Sequence, residues 1–480
     1  MALKINERSK DSNAMLPYWD KVTAITEGYE AIKASGTAYL PKFNDELDSD
    51  YKTRLSLTKF TNIYRDVLEG LATKPFEEEC RLLESSNPPE EIKAFCENVD
   101  GAGNNLTVFS ALSFFNGIND AVSWIFVDYP AVDQATIRTL ADQKAAQIKP
   151  YWSHILARNV LEARSEIIGS NEQLSYFRYL EPACDCPERI RVFERKNGLV
   201  TWQLWEKTEK LEEYVIIEEG VLTIDVIPVV PFITGRRDGR SFKFFPPMRD
   251  AADLQISLYQ DESALQFIKT MAGYPMLSAS GMTPEKNPDG TAKKLNIGPM
   301  KVLYGKMDGA GNIGRWEYIE PSATSMDFLQ RSIDQTKLDL RELGRQPLTA
   351  QSGQLTTVTT AVAAGKARSA VSAWALMLKD ALENAFVITA KWMGIEYDPE
   401  VNVFTEFDNI LEGDVDLTAL AQARQNGDLS RETYWLELQR RKVLSPEFNA
   451  EIEIQRLLDE IPSDNLDPND PNDLAGKQGQ

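Results

Sequence analysis

Between residues 325 and 343 the chain runs without Gly or Pro, and its apolar positions keep a helical spacing. Turned at about 100° per residue, Leu329, Ile333, Leu340 and Leu343 share one face. Arg331 and Arg341 fall on the opposite side with Asp334 between them, Lys337 sits on the flank, and Arg345 follows the helix end. The spacing predicts a helix that packs by one side and presents cations on the other. Residues 344–357 break it, because Gly344, Pro347 and Gly353 punctuate a run of small polar residues. From 358 to 393 an Ala-rich stretch predicts a long helix ending near Gly394. No Asp or Glu occurs from 344 to 379, and in so acidic a chain that absence asks for a reason.

The same reading covers the rest of the chain. Residues 1–16 predict a loose arm. Helices are predicted over 17–34, over 55–73, where Leu57, Phe60, Tyr64, Val67, Leu68 and Leu71 repeat at three and four, and from Leu106. A strand over 122–127 follows, then a short segment and helix over 150–167. From 174 to 234 the period becomes two, with Asn197-Gly198 and Glu219-Gly220 as turn signals, which predicts an antiparallel sheet of four to five strands. Residues 235–245 form a basic loop. A helix over 248–271 carries Leu254, Leu258, Leu265 and Ile268 on one side, and short β-like pieces lead on toward Tyr318. Ser430 can cap a helix over 431–440, another helix spans 447–460, and the polar tail 463–480 reads as disordered.

Length and composition narrow the class. The 480 residues suffice for two to four domains with real cores. No apolar run reaches membrane-spanning length, and the polar N-terminus lacks a signal core. Four cysteines suggest a reducing compartment. The net charge of −21 argues against a generic nucleic-acid binder, but the charge is uneven. Residues 396–480 hold 20 acids and 7 bases, a balance of −13. Residues 274–316 hold Lys286, Lys293, Lys294, Lys301, Lys306 and Arg315 against three acids, a balance of +3.

Candidate chemistry is thin. Gly101-x-Gly103 before a helix could hold a phosphate, but no Gly-Lys-Ser/Thr follows it. His154 has no Ser or Cys motif beside it, and Cys184-Asp-Cys186 lacks a second ligand pair. Neither catalytic residues nor a metal or other cofactor is expected. A carboxylate hydrolase working around Asp225 remains the enzymatic alternative. What stands out is a pair of long helices flanking a small net-positive β unit, with an acid-free loop beyond the second. Such a surface can touch a polyanion without holding it, since each phosphate contact adds salt-dependent affinity.

The order of blocks resembles the portal proteins of tailed double-stranded DNA bacteriophages. The resemblance rests on DGAGNNLTVFSALSFFNGINDAVSWIFVDYP at 100–130, on IPVVPF at 227–232 with FPPMRDAADLQISLYQDESALQFIKTMAGYPMLSASG at 245–281, and on GDLSRETYWLELQRRKVLSPEFNAEIEIQRLLDE at 427–460. It implies an α+β portal architecture assembled as a homo-oligomeric ring, usually of about twelve copies. Residues 1–246 would form the wing with its antiparallel sheet, 247–273 the first stem helix, 274–320 the clip, and 321–343 the second stem helix. Residues 344–357 would form the tunnel loop, 358–395 the long wing helix, 396–462 the crown, and 463–480 the acidic tail. Arg331, Lys337, Arg341 and Arg345 would line a channel for double-stranded DNA, and Gln346, Gln351, Ser352, Gln354 and Thr356 would narrow it. Lys286, Lys293, Lys294, Lys301, Lys306 and Arg315 would meet the terminase large subunit and later a head-completion adaptor. Major capsid and scaffolding proteins would be further partners, and no membrane is implied. The protein would assemble in the bacterial host cytoplasm and reside at the capsid vertex of the virion, where DNA is packaged and ejected. Another virion ring, such as an adaptor, is the nearer alternative.

Overall fold

The run VSWIFVD at 122–128 is apolar on both sides of the strand period, the pattern of a strand covered on both faces. In the computed structural model all but its last residue are buried. The structure describes residues 4–130, 148–182, 187–208, 213–273, 276–280, 288, 290–291, 314–319, 323–345, 357–405, 420–440, 443–444, 448, 450 and 453–454. In chain order, α1 (Lys10–Glu27), α2 (Tyr29–Ala34), α3 (Asp48–Leu57) and α4 (Ile63–Ala72) precede the short strand β1 (Arg81–Leu82). Helices α5 (Glu90–Cys96) and α6 (Leu106–Asp120) follow. Next come β2 (Val122–Asp128), β3 (Tyr151–Ile155), β4 (Val160–Ile168), β5 (Asn171–Leu180), β6 (Arg189–Lys196), β7 (Leu199–Lys207), β8 (Tyr214–Val221) and β9 (Val229–Ile233). A small hairpin of β10 (Arg236–Arg237) and β11 (Phe244–Phe245) leads to α7 (Arg249–Gly273), β12 (Met276–Ser280), β13 (Arg315–Ile319), α8 (Ala323–Arg345) and α9 (Thr357–Met393). Strand β14 (Val401–Asn402) pairs with β1, and α10 (Arg431–Arg440) lies beyond. The chain divides into two compact units, Met1–Thr405 and Glu406–Gln480.

The first unit is built on two antiparallel sheets, β3-β2-β9 and β4-β5-β6-β7-β8. Their inner faces meet through rings: Trp124 lies 4.9 Å from Phe177, and Phe126 lies 5.5 Å from Phe193. Helix α6 covers the other face of the smaller sheet at Gly117, where a Cβ would sit 2.3 Å from the Phe232 ring. Phe114, one turn earlier, stacks on that ring at 5.7 Å. The second half of α9 enters the same core. Phe386 packs 4.8 Å from Trp152, and Thr389 accepts a hydrogen bond from the Trp152 indole at 2.8 Å. Gly394, at φ +68°, ends the helix as expected.

Several expectations change. The arm is docked, not loose. The buried Arg178 guanidinium, paired with Glu162 at 2.9 Å, donates to the carbonyls of Lys4 and Glu7, and α1 begins at Lys10 with Pro17 inside it. The helix expected over 55–73 is two helices, because Asn62 caps α4 by accepting from the Arg65 amide. The helix expected within 150–167 is instead β3 and β4, the latter turning at Gly169 (φ +65°) to pair with β5. Glu219-Gly220 is no turn. Gly220 sits inside β8 because the Trp202 indole lies over it, 2.8 Å from where a Cβ would stand. The Asn197-Gly198 turn has both residues at positive φ, as its sequence predicts. The residues 184–186 and 463–480 lie outside the described residues.

Candidate nucleic-acid interface

Helices α7 and α8 owe their places to polar groups as well as apolar ones. Gln255 of α7 is fully buried, and its side-chain oxygen accepts from the amides of Ile63 and Tyr64, both at 3.0 Å. These are orphan donors of the first turn of α4, satisfied by a neighbouring helix. The Gln255 amide donates to the Thr61 carbonyl at 2.8 Å. About two turns further along α7, Ser263 receives Arg54 of α3, whose guanidinium also binds Glu46 at 2.8 Å. That hydrogen bond holds the Glu46 carboxyl below its ordinary range. Between them Glu262 takes the Thr61 hydroxyl at 2.7 Å and the Lys337 ammonium of α8 at 3.0 Å.

Helix α8 carries its apolar face inward, as its spacing predicts. Ile333, Leu340 and Leu343 are buried and Leu329 is half-buried. Arg331 and Arg341 are exposed on the outer side. That side is not simply cationic, since Asp327, Asp334 and Glu342 are exposed among the arginines and Gln330 donates to Asp334. Lys337 is only 27 % exposed and pairs with Glu262 in the seam between the helices, so it binds α8 to α7. Arg345 is the last residue of α8, and Arg315 is the exposed first residue of β13. Strands β12 and β13 pair antiparallel from Met276↔Ile319 to Ser280↔Arg315 and so close the base of the segment between them. Lys286, Lys293, Lys294, Lys301 and Lys306 lie outside the described residues, as do Gln346, Gln351, Ser352, Gln354 and Thr356.

The acid-free run has two origins. Over 370–379, Ala370, Val371, Trp374, Ala375 and Leu378 are core residues, so this part lacks carboxylates for an ordinary reason of burial. Only the part before it still asks for a functional reason. Asp225, the carboxylate of the enzymatic alternative, is 63 % exposed and bound to Lys391 at 2.8 Å. That bond lowers its pKa, the wrong direction for a general acid. His154 is half-buried, meets Ser123 Oγ at 2.7 Å, and is held neutral by desolvation, which pulls its pKa down to about 4. With its hydroxyl fully buried inside a sheet, the pair offers no reacting position to a substrate. The polar clasps of Gln255, Arg54 and Glu262 had no signal in hydropathy, because each is one polar residue on a helical surface.

Residues 247–393, from the start of α7 to the end of α9, match the model of a family described as a domain of unknown function, DUF4055. A comparison with curated proteins found no match. Among solved structures, a chain of the neck of a native GTA particle computed with C12 symmetry is similar at TM-score 0.41 and 10 % identity, over 78 % of this chain and 89 % of that one. A chain of the neck of an empty GTA particle computed with C6 symmetry gives TM-score 0.42 at 10 % identity, over 79 % and 90 %. A chain of the virion of a native gene transfer agent particle gives 0.41 at 10 % identity, over 88 % and 99 %.

Proposed function

We propose that this chain is the subunit of a portal ring, a DNA channel at a capsid vertex with no chemistry of its own. The observation that carries this reading is the unit from α7 to α9. Two long helices pack on each other, the net-positive segment 274–316 is set at their shared end by the β12–β13 pair, and the chain then passes through an acid-free loop into a helix anchored in the core. The segments that join these elements would then be held between rigid supports, as a conduit and its docking platform require. Exposed Arg331 and Arg341 would meet passing phosphates. The acids between them keep the net charge of the face small, so the salt-dependent hold on DNA stays weak. The basic tip would receive the packaging motor and later an adaptor.

Deleting 351–355 should leave ring assembly intact and impair packaging or retention of DNA. Loss of the ring itself, with the monomer still folded, would show that the loop serves assembly and not the channel.

A further inference from the structure

Residues 41–47, ahead of α3, form a loop that is tied down by polar bonds while its large apolar side chains stay in water. The buried Arg54 of α3 is its anchor. The guanidinium binds both carboxylate oxygens of Glu46 at 2.8 Å, donates to the Pro41 carbonyl at 2.8 Å and lies 4.1 Å from the centre of the Phe43 ring. The Phe43 amide donates to the Glu46 carboxylate at 3.0 Å, and the Glu46 amide returns a bond to the Phe43 carbonyl. Lys42 pairs with Asp48, and Asp45 takes φ +64°, in the left-handed region. A loop so held keeps its shape, yet it leaves Phe43 49 % and Leu47 66 % exposed. Phe267 of α7, 38 % exposed, lies 6.4 Å from the Phe43 ring and extends the patch. Single apolar residues scattered on a surface need no reason, but a cluster held out on a fixed loop points to a contact.

Among the described residues, Phe328 of α8 is the most exposed large apolar side chain, at 75 %. The Glu262–Lys337 bond fixes how it stands to Phe267. Turned at about 100° per residue, Phe267 points about 140° away from Glu262 on α7, and Phe328 about 180° away from Lys337 on α8. Both therefore stand on outer sides of the helix pair and not in its seam. The helices run antiparallel, and the β12–β13 pair marks the end they share. Phe267 lies five residues from Glu262 toward that end, and Phe328 nine residues from Lys337 toward the same end. At about 1.5 Å per residue their levels differ by about 6 Å, roughly one turn. We propose that the patch of Phe43, Leu47 and Phe267 on one copy packs against Phe328 on the next copy. Apolar groups on opposite sides of one helix pair, at nearly one level, meet when like-oriented copies stand side by side about an axis along the helices. The two surfaces are different patches of one chain, so the contact is heterologous and closes into a ring when its rotation permits. Arg341 is turned about 140° from Phe328, so covering the one leaves the other open. This inference rests on the ring reading above and assigns one of its interfaces.

The test uses the full chain. Leu47→Lys, Phe267→Lys and Phe328→Glu should each weaken assembly at least about tenfold, read by light scattering against concentration. All three positions are exposed, so melting temperatures measured below the assembly concentration should match that of the unaltered chain, which separates lost contact from lost fold. In a second measurement, Phe267→Lys is combined with Phe328→Glu in one chain. Every contact then sets a lysine against a glutamate, and the double variant should assemble more tightly than either single one, with a gain that fades as salt is added. A double variant that assembles no better than the weaker single one would show that the two positions do not meet and overturn the contact. If the unaltered chain forms rings and the single variants form them equally well, the contact is wrong while the ring reading stands. A chain monomeric at every concentration overturns both.

Discussion

Asp120 shows what a single buried carboxyl does to this protein. It is fully enclosed at the C-terminal end of α6, where its carboxyl accepts from the Asn119 amide at 2.7 Å and its carbonyl from the Trp19 indole at 3.0 Å. Desolvation pushes its pKa up to about 7, with the Asn119 hydrogen bond and the charge of Arg158 opposing. Folded chains then hold a proton that unfolded chains have lost, so this group's contribution is fully favourable below about pH 4 and fades as pH rises through about 7. Asp120→Asn keeps an oxygen for Asn119 and removes the charge. It should raise stability at pH 8 by a few kcal/mol, on the order of the pKa displacement, and leave stability at pH 4 nearly unchanged. Thermal melts of both proteins at the two pH values check this, and parallel pH dependence would contradict it. Arg178 acts at the same scale on the N-terminal arm. Replacing it by Met leaves Glu162 as an uncompensated buried charge and frees the carbonyls of Lys4 and Glu7, at a cost of about 3–5 kcal/mol. Limited proteolysis should then cut within the first nine residues, where the native chain resists. Neither residue was marked in the sequence, since a buried charge and a solvated one look alike until their partners are known.

Elements follow the same division. Helix α8 was legible almost residue for residue, and so were the start of β2, the stop of α9 at Gly394 and the turn at Asn197-Gly198, because each depends on local spacing or on one backbone conformation. The break between α3 and α4 was hidden, because the apolar rhythm Leu57, Phe60, Tyr64 continues across it while Asn62 and a distant Gln255 offer the backbone other partners. Strand β4 was hidden for a similar reason. VLEARSEI suits a helix locally, and only pairing with β5 decides otherwise. Gln255→Leu tests the clasp between α7 and α4. It leaves two buried amides of α4 without an acceptor, and the expected loss is about 1–3 kcal/mol for each group left unpaired. Gln255→Glu keeps an acceptor for those amides and should recover part of it. Denaturant unfolding with equal slopes for the three proteins separates this from a general loosening, and a Leu variant as stable as the native chain would show that the amides find other partners.

The whole molecule is where sequence and structure together leave the most to measure. The candidate channel residues Arg331 and Arg341 are exposed as expected, whereas Lys337 belongs to the seam and the loop and basic tip fall largely outside the described residues. Positions that depend on neighbouring copies have no counterpart inside one chain. The particle formed by the purified full chain therefore tests the central claim most directly, by its mass in solution together with its image viewed down the symmetry axis. The account predicts a closed ring with a central hole and a mass near 0.65 MDa, about twelve times the 54.0 kDa of one chain. A stable particle of 54.0 kDa, or a closed assembly with no opening along its axis, would contradict it.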